Sequence, residues 1–302
     1  MFRFLYRNAN SDGSFQRNVK TVFTSYLIAL QPWSFSVSLA PVALGNVLSW
    51  REKSQFSLPI FLFSTIVVLS VHAASNAVHA YRDGHGKTDQ ERSGKADKER
   101  SKAMVQIGAV LYVLACVAMF VVTCISPAKM EHLALLFFGG LSASFLYTGG
   151  WSAKPHSALG DLLIIVMFAP IAVLFSYVAQ CGQFDLKPVL YAMPLALNAE
   201  AIFHSENVRV MERDKGHGTV TTATVLGHRG SYVFYVFLLF TPYIIFSVML
   251  IKGSLGFVFP LITLRGAFDL EKCFRQRKIE TMPSRTARLN TYLAVIYILV
   301  TF

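Results

Sequence analysis

Long apolar stretches, each close to 20 residues, alternate with short polar segments along almost the whole chain. A helix that crosses the hydrocarbon core of a bilayer needs about 20 apolar residues, so each stretch predicts a transmembrane helix. The stretches cover residues 22–49, 57–80, 103–125, 130–149, 158–178, 186–203, 230–251, 253–270 and 287–302. The pattern therefore predicts an all-α fold, a multi-span transmembrane bundle of nine helices.

The chain divides into a short polar tail and one membrane domain. Residues 1–21 form the expected cytoplasmic N-terminal tail, and residues 22–302 form the transmembrane domain. The tail lacks the long apolar core of a secretory signal, so no cleavage is expected. Apolar residues make up 54% of the chain, charged residues only 15%, and the mean hydropathy is +0.47. Soluble domains carry about a quarter charged residues, so a soluble, disordered or disulfide-scaffold protein is excluded.

Lysine and arginine concentrate in alternate loops. The chain has 28 Lys and Arg against 17 Asp and Glu, a net charge of +11. The tail and the loops after the second, fourth, sixth and eighth stretches hold 22 of the basic residues, and the other loops hold five. Such loops face the cytoplasm and the anionic lipid surface. The asymmetry predicts a multi-pass protein of the lipid bilayer with no nucleic-acid partner.

Two of the cytoplasmic loops, residues 81–102 and 204–229, are long, polar and similar to each other. Segment 82–88 reads RDGHGKT and segment 213–219 reads RDKGHGT, so the Arg-Asp pair recurs after 131 residues. The loops follow the second and sixth stretches, which suggests a four-plus-four pseudo-repeat with both loops facing one cavity. Chance similarity of two short polar segments stays open as the alternative.

Each of these loops begins with a stripe of polar side chains on the preceding helix. Residues three and four positions apart share one helix face. The first stripe consists of Asn76, His79 and Asp83. The second stripe consists of Glu200, His204 and Asn207. Two helix ends thus present oxygen-bearing side chains to the same side of the membrane.

The oxygen atoms of these stripes predict a metal and diphosphate site. Carboxylate and amide oxygens suit Mg²⁺, which one or two carboxylates commonly share with substrate phosphates. Asp89 and Asp214 add further carboxylates in the two loops. Arg82, Arg209 and Lys154 are candidate cations that balance the remaining negative charge of a diphosphate. A cavity open sideways to lipid would take an isoprenoid tail.

The loop charges also have a simpler interpretation. Asp83 and Asp89 lie in a basic loop, where acidic side chains are usually solvated counter-ions of Arg and Lys. Asn76 and Glu200 differ, because they lie in apolar surroundings near the ends of predicted spans. An unpartnered polar group costs on the order of a few kcal/mol there, which favours a functional role for these two residues.

Five segments of the chain resemble the UbiA superfamily of intramembrane prenyltransferases, above all its animal members. They are LQPWSFSVSLAPVALGNVL (30–48), EHLALLFFGGLSASFLYTGG (131–150), ALGDLLIIVMFAPIAV (158–173), PLALNAEAIFHSENVR (194–209) and RTARLN (285–290). The resemblance extends from about residue 27 to residue 297. It implies nine helices around a cavity, with Mg²⁺ and a prenyl diphosphate bound by two Asp-rich motifs after spans 2 and 6.

The two motifs are carried over unevenly. In the first, Asp83 and Asp89 match the family pattern, Asn76 matches its animal members, and His79 replaces an asparagine. In the second, Asn207, Arg209 and Asp214 match, but Val210 replaces the first aspartate. Residues that match in the middle of the chain are Tyr147, Lys154 and Asp161. Asp214 and Glu206 together, or Glu212 from the next turn, are the candidates to compensate for the carboxylate missing at Val210.

The resemblance implies a mechanism and a set of roles. Asp83 and Asp89 hold one Mg²⁺, Asp214 and Asn207 hold the other, and a prenyl group, geranylgeranyl being expected, passes to a quinone or naphthoquinone acceptor. The implied catalytic residues are Asp83, Asp89, Asp214, Arg209, Lys154 and Tyr147. The implied substrate-binding residues are Asn76, His79, Arg82, Asn207, Glu200, His204 and Asp161. Tyr147 faces the developing cation or, alternatively, anchors a helix end at the membrane interface.

A second function class remains open. His79 and Val210 depart from the family motifs at positions of proposed chemistry, so the fold is alternatively a binding or regulatory protein that holds an isoprenoid, with regulatory protein partners and without turnover. For the enzyme, the resemblance implies menaquinone (vitamin K) or ubiquinone-type synthesis. It places the protein in endoplasmic reticulum or Golgi membranes, with a mitochondrial membrane as the alternative.

Overall fold

The computed structural model describes residues 30–85, 95–145, 165, 167–216, 218 and 220–302, and within them the regular structure is entirely helical. The α-helices of these residues are α1 (Ser36–Lys53), α2 (Leu58–His85), α3 (Lys95–Ile125), α4 (Met130–Phe145), α5 (Ala172–Cys181), α6 (Lys187–Arg209), α7 (Met211–Gly216), α8 (Thr222–Ile251), α9 (Leu264–Arg275) and α10 (Met282–Thr301). Two 3-10 helices, Pro32–Ser34 and Leu255–Thr263, and a π-helical turn, Met167–Ile171, complete the set. The all-α prediction is confirmed, while the expected tail, residues 1–21, lies outside the described residues.

Every one of the nine apolar stretches overlaps a helix in the described part of the chain. Three helices begin earlier than the apolar pattern indicates, since α3 starts at Lys95, α8 at Thr222 and α10 at Met282. The early turns of α3 read KADKERSK, a run rich in good helix formers that a hydropathy window does not register. The early turn of α8 is fixed by a capping box between Thr221 and Thr224.

The eighth stretch, residues 253–270, differs most from the prediction of one continuous span. It contains the 3-10 helix Leu255–Thr263 followed by α9. Pro260 lies inside the 3-10 segment and has no N–H to donate, which disfavours a regular α-helix there. In α9 the buried side chains form one stripe of Ala267, Leu270 and Phe274, whereas charged residues cover the other side.

Three helices in the described residues are long and apolar enough to cross a membrane by themselves: Leu58–Val78, Lys102–Ile125 and Thr222–Ile251. Shorter apolar helices cover Met130–Ser142 and Ala169–Cys181. On α3 the outward side chains Val110 and Phe120 are 67% and 70% exposed. In water such a surface would be a contiguous apolar patch, so these exposed side chains are the surface that faces lipid.

Contacts between helix ends show that successive helices alternate in direction. Gln180 at the end of α5 donates from Nε2 to Asn46 Oδ1 and to the carbonyl of Ser57 (2.9 Å), and Ser57 N donates back to Gln180 Oε1 (2.8 Å). Lys187, the first residue of α6, lies 2.7 Å from Glu52 at the end of α1. We call this end of the bundle the far end.

We call the opposite end the motif end; there α2, α6 and α9 end and α8 and α10 begin. Tyr235 of α8 bonds Thr286 of α10 over 2.8 Å, and Tyr232 of α8 donates to Glu271 of α9 over 2.6 Å. Helices α2 and α6 thus both run towards the motif end, as a four-plus-four relationship requires. The repeated loop segments lie partly outside the described residues, so the cavity between them stays a prediction.

A close backbone contact joins α1 to α5 in the centre of the bundle. All ten residues of α5 are buried. A Cβ atom built on Gly45 of α1 would lie 2.4 Å from the carbonyl oxygen of Val173 and 2.9 Å from Ser176 Cβ. Small residues let membrane helices approach this closely, so Gly45 sets the separation of the two helices.

We predict that Gly45→Ala lowers the stability of the purified protein by about 1–3 kcal/mol, because the new methyl group forces α1 away from α5. Thermal unfolding in detergent would show a lower Tm. Gly139→Ala on α4 is the matched control, since a Cβ there meets no described atom within 4 Å. An unchanged Tm for Gly45→Ala beside an unchanged Gly139→Ala would contradict this account of the α1–α5 contact.

Candidate functional site

A buried polar network fastens α2 to the chain that leads into α1. Asn76, only 9% exposed, donates from Nδ2 to the carbonyl of Leu30 (2.8 Å) and to Ser34 Oγ (3.3 Å). One turn earlier, His72 bonds Ser34 through Nε2 (3.2 Å) and Ser38 through Nδ1 (2.6 Å). We call Ser34, Ser38, His72 and Asn76 the serine–histidine network. Each member is buried inside an otherwise apolar region, where partners are required.

The network assigns the tautomer of His72. Ser34 uses its hydroxyl proton on the carbonyl of Gln31 (2.8 Å), so it accepts from His72. A neutral imidazole then carries its proton on Nε2 and accepts from Ser38 at Nδ1. The position of Asn76 is therefore set by residues 30–38, a partnership that the sequence analysis did not anticipate. The sequence does hold an indication of this contact, because Ser34 and Ser38, and likewise His72 and Asn76, are four residues apart and so share one helix face.

The first predicted stripe lies on one continuous helix. Helix α2 runs to His85, so Asn76, His79 and Asp83 share one face towards the motif end, as their spacing predicts. The structure describes the side chain of Asn76 and only the backbone of the other two and of Arg82. Four further predicted site residues lie outside the described residues: Asp89, Tyr147, Lys154 and Asp161.

The second predicted stripe lies at the end of α6. Glu200 and His204 are fully buried. His204 Nε2 lies 3.2 Å from the carbonyl of Ser231 on α8, and its ring meets that of Phe234 edge-on with centroids 4.8 Å apart. His204 is thus held against α8, while Asn207, less than one turn later, is only partly buried.

Arg209, the last residue of α6, is held by a carboxylate of its own helix. Its Nε donates to Glu206 Oε2 (2.9 Å) and its Nη2 donates to Glu206 Oε1, a two-pronged pairing. Its Nη1 lies 4.0 Å from Glu280, in the connection between α9 and α10. The guanidinium that the sequence assigns to a diphosphate is therefore bound to Glu206 in this structure.

The helical hydrogen-bond pattern continues across the break between α6 and α7. Val210 N donates to the carbonyl of Glu206 (3.1 Å), and Asp214 N donates to the carbonyl of Val210 (3.0 Å). Glu206, Val210 and Asp214 therefore follow one another on a single stripe, one turn apart. The Asp214 side chain is only 13% exposed and lies 3.7 Å from the Nε of Arg213.

Glu212 points to other partners. Its Oε1 lies 3.0 Å from Lys215 Nζ and 3.5 Å from His228 Nε2 at the start of α8, and its side chain is 71% exposed. The hydrogen bond from Lys215 holds the pKa of Glu212 below its usual range. Glu212 therefore belongs to the solvated side of α7, away from the stripe of Asp214.

The donor set at the motif end fits a hard cation. Within the described ranges, no three His, Cys, Asp or Glu side chains come together as a metal cluster. Mg²⁺ needs fewer protein ligands than that, because it keeps waters and shares its coordination sphere with substrate phosphates. Asn207 and Asp214 offer an amide and a carboxylate oxygen one to two turns apart, which suits such a site.

We predict that Asn76→Leu destabilises the protein, because the side chain loses two hydrogen bonds and leaves the Leu30 carbonyl without this donor. The expected cost is about 1–3 kcal/mol, seen as a lower Tm in detergent. Ser64→Ala on the same helix is the control, since among the described residues the buried Ser64 hydroxyl bonds the carbonyl of Phe61 in its own helix and no other group. Equal Tm values for the two variants would show that the contact to Leu30 contributes nothing.

Solved structures of low sequence similarity share this fold. A UbiA homolog from Archaeoglobus fulgidus bound to GPP and Mg²⁺ aligns with a TM-score of 0.66 and 15% identity, covering 92% of this chain and 98% of that one. The apo structure of a UbiA homolog from Aeropyrum pernix K1 aligns with a TM-score of 0.62 and 14% identity, covering 88% and 96%. These likenesses confirm the UbiA-type membrane bundle.

Curated relatives show the family. UbiA prenyltransferase domain-containing protein 1 of Homo sapiens is 43% identical over 288 residues, which cover 94% of this chain and 85% of the human protein. The homolog of that protein in Drosophila melanogaster is 43% identical over 281 residues, covering 91% and 78%. The family pattern itself matches residues 38–292. The chain therefore belongs to the UbiA prenyltransferase family.

Proposed function

We propose that the protein is an intramembrane, Mg²⁺-dependent prenyltransferase. It moves a polyprenyl group, geranylgeranyl being expected, from its diphosphate to a quinone or naphthoquinone acceptor, in menaquinone (vitamin K) or ubiquinone-type synthesis. The observation that supports the proposal is that Asn207, Arg209 and Asp214 lie at the end of α6 and in α7, at the end of the bundle towards which α2, with Asn76 and Asp83, also runs. The A. fulgidus homolog, bound to GPP or DMAPP with Mg²⁺, supports the substrate class.

The proposed metal ligands come from both motifs. Asp83 and Asp89 would hold one Mg²⁺, and Asp214 with Asn207 would hold the other. Bound Mg²⁺ supplies charge neutralisation on the diphosphate oxygens as they leave. Arg209 and Lys154 add positive charge to the same leaving group. Both suit this role, because cations stabilise the negative charge that develops on a leaving diphosphate.

The chemistry exchanges one bond to the allylic carbon for another. The carbon–oxygen bond to the diphosphate breaks, the aromatic carbon of the acceptor bonds the allylic carbon, and the ring loses a proton. Tyr147 is the proposed aromatic face for the cationic allyl group. The proposed substrate-binding residues around this centre are Asn76, His79, Arg82, Asn207, Glu200, His204 and Asp161.

The charge distribution supports an orientation with the motif end in the cytoplasm. The described and exposed basic residues of the motif end are Lys102, Arg209, Arg213, Lys215, Arg229, Lys272, Arg275, Arg277, Lys278, Arg285 and Arg288. The far end carries Arg51, Lys53, Lys129, Lys187 and Lys252. Segments rich in Lys and Arg stay on the cytoplasmic side during insertion. We propose endoplasmic reticulum or Golgi membranes as the location, with a mitochondrial membrane as the alternative.

Val210 favours a second candidate function. A valine at the position of a metal-binding aspartate removes one carboxylate from the motif. The protein would then bind a prenyl diphosphate without transferring it and act through a regulatory protein partner. This candidate shares the binding site of the first and differs from it in turnover.

We predict that the purified protein in nanodiscs converts geranylgeranyl diphosphate and reduced menadione into a prenylated quinone, and that chelation of Mg²⁺ abolishes the product. Asp83→Ala and Asp214→Asn should each lower kcat/KM by about 100-fold or more, because each removes charge that positions the leaving group. The assay measures labelled quinone product by chromatography.

Asp269→Asn is the matched control, since Asp269 is an exposed acid of α9 at the same end of the bundle. It should leave the rate unchanged. Mg²⁺-dependent binding of the diphosphate without product from any quinone acceptor would favour the binding protein. Neither binding nor turnover in the unsubstituted protein would overturn the diphosphate site itself.

A further inference from the structure

The missing carboxylate at Val210 leaves a gap in an otherwise continuous stripe. Glu206, Val210 and Asp214 lie one turn apart, because the hydrogen bonds from Val210 N and Asp214 N keep the helical pattern through the break. An acidic side chain in the middle would stand directly between two others. In this chain the acids stand on either side of the gap instead.

Glu206 has the exposure and the reach to serve this stripe. Its side chain is 31% exposed, so it is neither locked in the core nor freely solvated. A glutamate is one methylene longer than an aspartate, which lets its carboxylate extend towards the neighbouring turn. Its present partner is Arg209, held through both carboxylate oxygens. The carboxylate is therefore already placed at the motif end.

Glu212, the other candidate on this segment, is occupied elsewhere. Its carboxylate lies against Lys215 and His228 on the solvated side of α7. Within α6 and α7 as the structure describes them, Glu206 and Asp214 share the stripe of Val210 and Glu212 does not. The geometry thus agrees with helical spacing, because Glu206 lies four residues from Val210 and Glu212 only two.

We infer that Glu206 provides the second metal-binding carboxylate of this motif, in place of the one missing at Val210, and that it releases Arg209 when it does so. This inference rests on the proposed function. A diphosphate with bound Mg²⁺ would offer its oxygens to the Arg209 guanidinium and its Mg²⁺ to the Glu206 carboxylate. Both partners of the ion pair are then paired again, so the exchange leaves neither charge without a counter-charge.

The Glu206–Arg209 ion pair lies where the diphosphate would bind. Arginine binds carboxylate and phosphate with the same two-pronged geometry, so a diphosphate can take over the contacts that Glu206 makes. Without the ligand, the pair keeps Arg209 oriented at the end of α6. The Glu206–Arg209 pair is then the resting arrangement of the site.

The test measures retention of radiolabelled inorganic diphosphate by the protein in phosphatidylcholine nanodiscs across a Mg²⁺ titration. Inorganic diphosphate avoids any assumption about prenyl length or acceptor. We expect Glu206→Gln to raise the half-saturating Mg²⁺ concentration by at least about tenfold, as loss of a metal-supporting group does elsewhere. Glu212→Gln is the matched control and should stay within about twofold of the unsubstituted protein, because a solvated ion pair contributes little.

Placing a carboxylate at position 210 distinguishes metal binding by Glu206 from a purely structural role of that residue. Val210→Asp in the Glu206→Gln background should return the Mg²⁺ dependence to within a few-fold of the original. Failure of this rescue would show that Glu206 acts only by holding Arg209, and would overturn the inference.

The outcomes also separate this inference from the proposed function. Unchanged Mg²⁺ dependence in Glu206→Gln, together with weakened binding in Asp214→Asn, would overturn the role of Glu206 alone. Absence of Mg²⁺-dependent diphosphate binding in the unsubstituted protein would overturn both the role of Glu206 and the diphosphate site.

Discussion

The need to partner buried polar side chains without the help of water shapes the contacts between the helices of this fold. In the hydrocarbon region no solvent is available to satisfy a stray amide or imidazole. Gln180 hydrogen-bonds the N–H and the carbonyl of Ser57 and the side chain of Asn46. These contacts join α5 to the end of α1 and to the start of α2. The serine–histidine network does the same for α2 and the chain before α1. These hydrogen bonds fix the relative positions of helices that could slide past one another if apolar contacts alone held them. The helix ends at the motif end are positioned as a result.

The hydrophobic pattern predicts most of the architecture because lipid imposes a fixed length on each span. It predicts the helices least well where the cause of helix formation is not hydrophobicity. The first turns of α3 are highly charged yet helical, and the start of α8 depends on the cap formed by Thr221 and Thr224. The 3-10 helix Leu255–Thr263 is as apolar as a span, and its geometry follows from Pro260 and from neighbouring helices that no local pattern records.

The candidate site is predictable in part for a similar reason. Helical spacing alone places Asn76 with Asp83, and Glu200 with His204 and Asn207, on common faces. Spacing does not say which partner a side chain selects. Arg209 binds Glu206 three residues away, while His72 reaches across to Ser34 and Ser38 on another segment, and both choices depend on how the helices meet. The roles of Asp89, Tyr147, Lys154 and Asp161 rest on resemblance, since they lie outside the described residues.

The contact at Gly45 has a mechanical consequence. The backbone of α1 at Gly45 nearly touches that of α5. If either helix shifted along the other, atoms of α1 would collide with the carbonyl of Val173 on α5. The amide bridge between Asn46 and Gln180 lies immediately beside this contact and resists rotation as well. The two helices therefore move as one rigid unit. If the bundle opens to admit a long lipid-like molecule, the helices other than α1 and α5 have to move.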